Sequence, residues 1–222
     1  SAKKNPTTLS SFAPPILFLL FDYFGVVLSE HLAFLLRDEL DYWNNVTYLY
    51  ADSYIYGWVP LLFLIFLGQS RSYRQMKPVV DTMRGIFQSV FAGWISSIII
   101  IYFLKASEQS SRLFIILFGV LGLFNVCVIR YAVMKFLKLR NIFTEPVIII
   151  GAGLTAERVI KFWREDLGYR YDILGLIDDH PASKILPDQF PVLGGFCDAK
   201  KIIPTLNVKT VIIAAPGIGK AQ

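Results

Sequence analysis

The stretch VIIIGAGLTAERVIKFW, Val147 to Trp163, decides how the rest of the chain is read. Its first four residues are a short β-branched run of the kind that fills the centre of a parallel sheet covered on both faces. Gly151, Ala152, Gly153, Leu154, Thr155 and Ala156 then match the G-x-G-x-x-(G/A) turn of dinucleotide-binding folds. In that turn the first glycine makes the tight bend, the second lets a phosphate approach the backbone, and a small third residue sits where helix meets strand. The helix that follows carries Val159, Ile160, Phe162 and Trp163 at its apolar positions and aims its N-terminus at an anion.

Downstream, YDILGLIDD reads as a second strand ending in Asp178 and Asp179, where a fold of this kind usually holds a ribose hydroxyl. The separation of Asp178 from Gly151 exceeds the usual value of about 20 residues, so the fit is imperfect in spacing. PVLGG (Pro191 to Gly195) reads as a turn or short strand, Cys197 to Leu206 as an amphipathic helix, and KTVIIAAPG (Lys209 to Gly217) as another buried strand. Residues 141–222 are therefore expected to form an incomplete Rossmann-like α/β domain, with Gly151, Gly153, Asp178 and Asp179 as candidate nucleotide contacts. A glycine turn kept only for packing stays open as the alternative.

Upstream the chain has a different character. Hydrophobic residues make up 55% of the sequence and charged residues 18%, too apolar for a soluble domain of this length. The excess lies in uncharged runs, Ser53 to Ser70, Gly85 to Leu104 and Leu113 to Ile129, each close to the roughly 20 residues that cross a bilayer as a helix. A fourth run, Ile16 to Leu36, contains Asp22, Glu30 and His31. It is too long for a secretory signal and has no small-residue cleavage site, so it is expected to remain in the protein. Residues 1–140 thus read as an α-helical membrane bundle of four transmembrane helices.

Charge placement gives an orientation. Lys3 and Lys4, then Arg71, Arg74, Lys77 and Arg84, then Arg130, Lys135, Lys138 and Arg140 fall on one side of such a bundle. The other side has Arg37 among Asp38, Glu39, Asp41 and Asp52, with Lys105 and Arg112 around a short connection. By the positive-inside rule both termini are expected in the cytoplasm. Residues 1–140 hold 13 of the 22 basic and 8 of the 17 acidic side chains, so the net charge of +5 belongs to topology, and no nucleic acid partner is implied.

An ionisable residue inside a span is a functional hypothesis by default. Asp22, Glu30 and His31 are nonetheless expected to be structural, lying near helix ends or pairing inside the bundle. The tyrosines and Trp43, Trp58 and Trp94 read as interfacial or lipid-facing aromatics. Cys127 and Cys197 have neither a metal-ligand spacing nor a common side of the membrane, so no metal site and no disulfide are expected. Asn45-Val46-Thr47 is a glycosylation triplet of the kind that arises by chance.

The membrane helices followed by VIIIGAG, GLIDDHP, PVLGG and VIIAAP resemble the N-terminal half of large bacterial polyprenyl-phosphate hexose-1-phosphate transferases, which start surface polysaccharide synthesis. The resemblance covers nearly the whole chain and is most specific in GLIDDHP and PVLGG. It implies a multi-pass protein of the bacterial inner membrane, with the lipid bilayer, undecaprenyl phosphate and a UDP-sugar as partners of the parent protein and a possible homodimer. It also implies a further C-terminal domain in which an Asp-Glu pair and magnesium carry the transfer. Asp38-Glu39 falls in the outer loop of the expected topology, so no catalytic residue is carried over, and the cofactor of this chain is unknown. The same arrangement also resembles the front half of membrane nucleotide-sugar 4,6-dehydratases, whose second domain uses NAD. A non-enzymatic scaffold or sensor is the third class.

Overall fold

The computed structural model describes residues 8–40, 54–69, 76–103, 111–183, 185–206, 208 and 210–214. The glycosylation triplet, Asp41, Asp52, Trp43, Lys3, Lys4, Arg71, Arg74 and Lys105, on which parts of the sequence reading rest, lie outside these residues. The chain is mostly helical with a small parallel sheet, and it divides into two compact units, Ser1–Phe136 and Leu137–Gln222.

The first unit is built from α1 (Thr8–Leu40), α2 (Val59–Gln69, entered through a π-helical turn at Tyr54–Trp58), α3 (Val79–Phe103) and α4 (Arg112–Leu139), which runs on three residues into the second unit. Pro14–Glu39, Val79–Phe103 and Arg112–Leu139 are long and apolar enough to cross a membrane. The apolar stretch around α2, Tyr56–Gln69, is shorter. Three spans are therefore supported by length, and the second of the four expected helices falls short of them among the described residues.

The distribution of side chains is that of a bundle whose solvent is lipid. Large apolar residues such as Phe24, Phe87, Phe91, Val120 and Phe124 face outward, while Asp22, Ser29, Glu30 and Arg37 lie buried on one stripe of α1. That stripe recurs every three or four residues with Phe18, Val26 and Ala33, which is the period of one helix face. Lipid tails are as apolar as leucine, so burying apolar surface contributes little here and the inner contacts are close packing and polar pairs. Gly93 lies under the Phe63 ring and Gly119 under the Trp94 ring, where a Cβ would come within 3.0 and 2.6 Å respectively. Trp94 Nε1 donates to the carbonyl of Ile115 at 2.9 Å, tying α3 to α4.

Two expectations change here. The fourth helix does not end near Ile129 but continues to Leu139, and Arg130 is buried within it rather than flanking it. Arg130 donates through Nε to Asp22 at 3.2 Å and through a guanidinium NH2 to the second carboxylate oxygen, and its guanidinium lies 4.5 Å from the centre of the Phe18 ring. Asp22 thus pairs inside the bundle as expected. His31 bonds the carbonyl of Val27 and the hydroxyl of Tyr56, whereas the carboxylate of Glu30 has no hydrogen-bond partner among the described residues.

The helix α4 stops because Asn141 adopts a left-handed conformation (φ 50°), as a residue just past a helix end often does. The amide of Asn141 donates to the carbonyl of Lys138 and that of Ile142 to Leu137, the paired bonds of a Schellman motif. Phe143 is also left-handed (φ 56°), so the chain is turned sharply before the sheet begins.

The second unit is a sheet of β1 (Glu145–Ile150), β2 (Tyr171–Ile177), β3 (Val192–Gly194) and β4 (Thr210–Ile213), in the order β3-β2-β1-β4 and parallel throughout. Three consecutive β1 residues, Val147, Ile148 and Ile149, are at most 1% exposed, which confirms that both faces of this strand are covered. The helix α5 (Leu154–Glu165) packs Ala156 and Ile160 onto Ile149 and Leu176, with Leu186 and Ala214 completing the core. Short helices α6 (Leu186–Gln189) and α7 (Ala199–Thr205) lead into β3 and β4.

Candidate nucleotide site at the carboxyl ends of the strands

The parallel order places the ends of β1, β2 and β4 side by side, the position at which open α/β sheets bind ligands. Gly151 leaves β1 with φ 96°, a conformation that a residue with a Cβ rarely adopts, so the first glycine is required by the bend. The bend is held from several directions. Gly151 donates to the carbonyl of Ile177 at 2.8 Å, the carbonyl of Ala152 accepts from the amide of Ser183 at 3.0 Å, and Ala214 donates to the carbonyl of Ile150 at 2.8 Å.

Gly153 is different. It is the N-cap of α5 with an ordinary extended backbone (φ −93°, ψ −175°), and a Cβ built on it would meet none of the described residues within 4 Å. Neither backbone strain nor packing against the described residues calls for glycine there. Among the described residues no side chain caps α5, whose first turn carries the positive end of the helix dipole beside Gly153.

The two acidic residues at the end of β2 lie beside this turn and are engaged with backbone. Asp178 accepts from Ala152 N through Oδ2 at 2.5 Å and from His180 N through Oδ1 at 2.9 Å. Asp179 Oδ1 accepts from Phe196 N at 3.1 Å, linking the β2 end to the turn after β3. The structure therefore brings Gly151, Gly153 and Asp178 together at one turn and places Asp179 one residue further, against the 3₁₀ turn Phe196–Asp198.

Ser183 escaped the sequence reading. It is 3% exposed, its hydroxyl donates to Glu157 on α5 at 3.1 Å, and it accepts from the amides of Ile185 and Leu186 at the start of α6. A serine ahead of a four-residue helix in a polar loop carries little signal, because such helices have no apolar period to announce them.

Among the described residues no group of three or more His, Cys, Asp and Glu side chains comes together. Nothing at this turn fits the magnesium that the resemblance implies for a further domain, and no step is assigned to that ion.

Apolar helices of membrane-spanning length, followed by a parallel α/β unit with an open glycine turn, define a membrane-associated protein with a nucleotide-binding-like domain. The chain belongs to the CoA-binding domain family, whose model matches residues 70–218 and so takes in α3, α4 and the whole sheet. That family is found in proteins related to polyprenyl-phosphate sugar transferases, and membership suggests a role related to nucleotide sugars. No match is found among curated proteins.

Proposed function

We propose that this chain is the membrane-anchoring and regulatory part of an undecaprenyl-phosphate sugar-1-phosphate transferase, with residues 1–140 as a four-helix membrane domain and both termini in the cytoplasm of a bacterium. The glycine turn is its ligand site. The diphosphate of a UDP-sugar, or of UDP, lies over Gly153 against the first-turn amides of α5, and Asp179 takes the ribose. Asp178 serves as a positioning residue, since one of its oxygens already holds the turn through Ala152 N and the other accepts from His180 N.

The observation that carries this reading is the room left at Gly153 by the described residues. A glycine that neither strain nor packing against the described residues demands, at a helix N-terminus that none of their side chains caps, suits the close approach of a phosphate. A site that reads the UDP-sugar pool would let substrate or product set the activity of the parent enzyme.

Titration calorimetry of the chain in nanodiscs with UDP, UDP-hexose, CoA and NAD tests the site. Saturable binding of UDP or UDP-hexose is expected, and Gly153→Val, whose Cβ meets none of the described residues within 4 Å, should abolish it while the protein stays folded. Silence with all of these ligands would leave the turn a packing element, and NAD turnover would assign the chain to an oxidoreductase. Impermeant labelling of single cysteines at positions 44 and 184 in intact cells tests the orientation, and modification at 184 alone would reverse it.

A further inference from the structure

A second cleft lies at the opposite end of the sheet, where the strands begin. It encloses about 310 Å³ and is bounded by the start of β2, the carboxyl end of α5 and the last turn of α4. Lys138 Nζ donates to the carbonyl of Trp163 at 2.8 Å and to that of Asp166 at 2.5 Å, so a cation sits on the negative pole of α5. Trp163 and Tyr171 form one wall, their rings 4.8 Å apart and nearly edge to face. Arg164 lies over the Phe190 ring at 5.4 Å, and Arg170 is also in the lining. Among the described residues the lining holds Lys138, Arg164 and Arg170 against one carboxylate, Asp172, with the charge of Asp166 also acting on Lys138.

We propose that this cleft binds the phosphate of an anionic lipid headgroup, independently of any ligand at the glycine turn. The lining holds an excess of cations, and the exposed guanidinium of Arg164 can grip phosphate oxygens in pairs. Its aromatic rings are amphipathic ones of the type enriched where membrane meets water. Lys138 and Asn141 are the final turn and cap of α4, whose stretch Arg112–Leu139 is apolar and long enough to cross a membrane. Basic residues placed just where a span leaves the bilayer draw anionic lipids. The cleft is thus lined by the residues with which the chain leaves its apolar helix.

The test uses the full chain in phosphatidylcholine nanodiscs with a trace of phosphatidic acid bearing a photoreactive group beside its headgroup. Crosslinks should map to the peptides around Lys138, Trp163 and Tyr171, and unlabelled phosphatidic acid should compete them away while phosphatidylcholine does not. Arg164 is exposed, so Arg164→Gln should fold normally and lower this crosslinking by about fivefold, the worth of one cation at a membrane surface. Arg164→Lys should restore much of it. Competition by inorganic pyrophosphate in the buffer, and none by unlabelled phosphatidic acid, would overturn the lipid assignment and leave a site for a soluble phosphate. Equal labelling by a phosphatidylcholine probe, or labelling unchanged in Arg164→Gln, would overturn the anion site itself.

Discussion

The carboxylate of Asp178 closes on the amide of Ala152 at 2.5 Å, so the end of β2 holds the glycine turn at the end of β1. An acidic residue in this position is usually assigned to a ribose, yet here it bonds the turn itself and, through its other oxygen, the amide of His180. A negative charge beside the first turn of α5 also complements the helix dipole before any ligand arrives.

Asp178→Ala should therefore loosen the domain whether or not ligand is present. Two amides lose a charged acceptor, and a hydrogen bond to a charged group contributes about 1.5 to 3 kcal/mol. Hydrogen exchange at Gly151–Ala156 should rise sharply in the variant, with little change in α1 to α3. Exchange as slow as in the wild type would show that the turn does not depend on this carboxylate.

The glycines separate by what surrounds them. Gly153→Ala adds a methyl group that meets none of the described residues within 4 Å at an ordinary φ, and it should change the melting temperature little, since the chain entropy that glycine loses on folding offsets its preference over alanine at an N-cap. Gly175→Ala drives a Cβ to 2.6 Å from Leu193 and 2.8 Å from the carbonyl of Pro191, where β2 meets β3. That variant should lose on the order of 1 to 3 kcal/mol, as overpacked cores do. Thermal melts of the two variants side by side provide the check, and equal losses would refute the distinction.

Removing one partner of the Asp22 and Arg130 pair should be worse than removing both. Each is buried to about 1% exposure, and either single change strands the other charge inside the bundle at about 3 to 5 kcal/mol. Asp22→Asn and Arg130→Met should each reduce the yield of folded protein in detergent, and the double variant should recover a large part of it. Losses that simply add in the double variant would show that the pair is not coupled.

Alkaline pH should destabilise the second unit through Tyr171. Burial, then the neighbouring Glu145 and Tyr169, push the Tyr171 phenol above its usual value, so the folded protein holds this proton more tightly than the unfolded chain. Its contribution is fully present below the unfolded phenol value of about 10 and is lost as pH rises from there through the folded value. Tyr171→Phe should flatten the alkaline limb of a stability profile followed by Tyr and Trp signals of this unit. A limb that stays as steep as in the wild type would assign the loss to other groups.

Much of the architecture could be read from residue order alone. A β-branched run such as Val147 to Ile150 has one dominant environment, a strand covered on both faces, and the glycine turn after it commits the chain to a strand-to-helix connection. Strands at YDILGLI and TVII, and membrane-length helices within Val79–Phe103 and Arg112–Leu139, follow from the same local signals of branching, periodicity and length, whereas PVLGG reads equally as a turn or a short strand. Such signals act within a few residues, which is why they survive without any knowledge of neighbours.

What the linear order left open were the relations between distant residues. Arg130 looks like a flanking charge by position, and only the approach of α1 to α4 makes it the partner of Asp22, 108 residues away. Asp178 looks like a ribose ligand until the sheet brings it to Ala152, and Gly153 looks like any turn glycine until none of the described residues is found against it. The cleft beneath Trp163 and Tyr171 has no motif at all, because Lys138, Arg164 and Phe190 reach it from separate elements. Local propensity is written in neighbouring side chains, whereas a site depends on which solvated or buried groups the packed backbone sets within bonding distance, and that is decided by the tertiary fold.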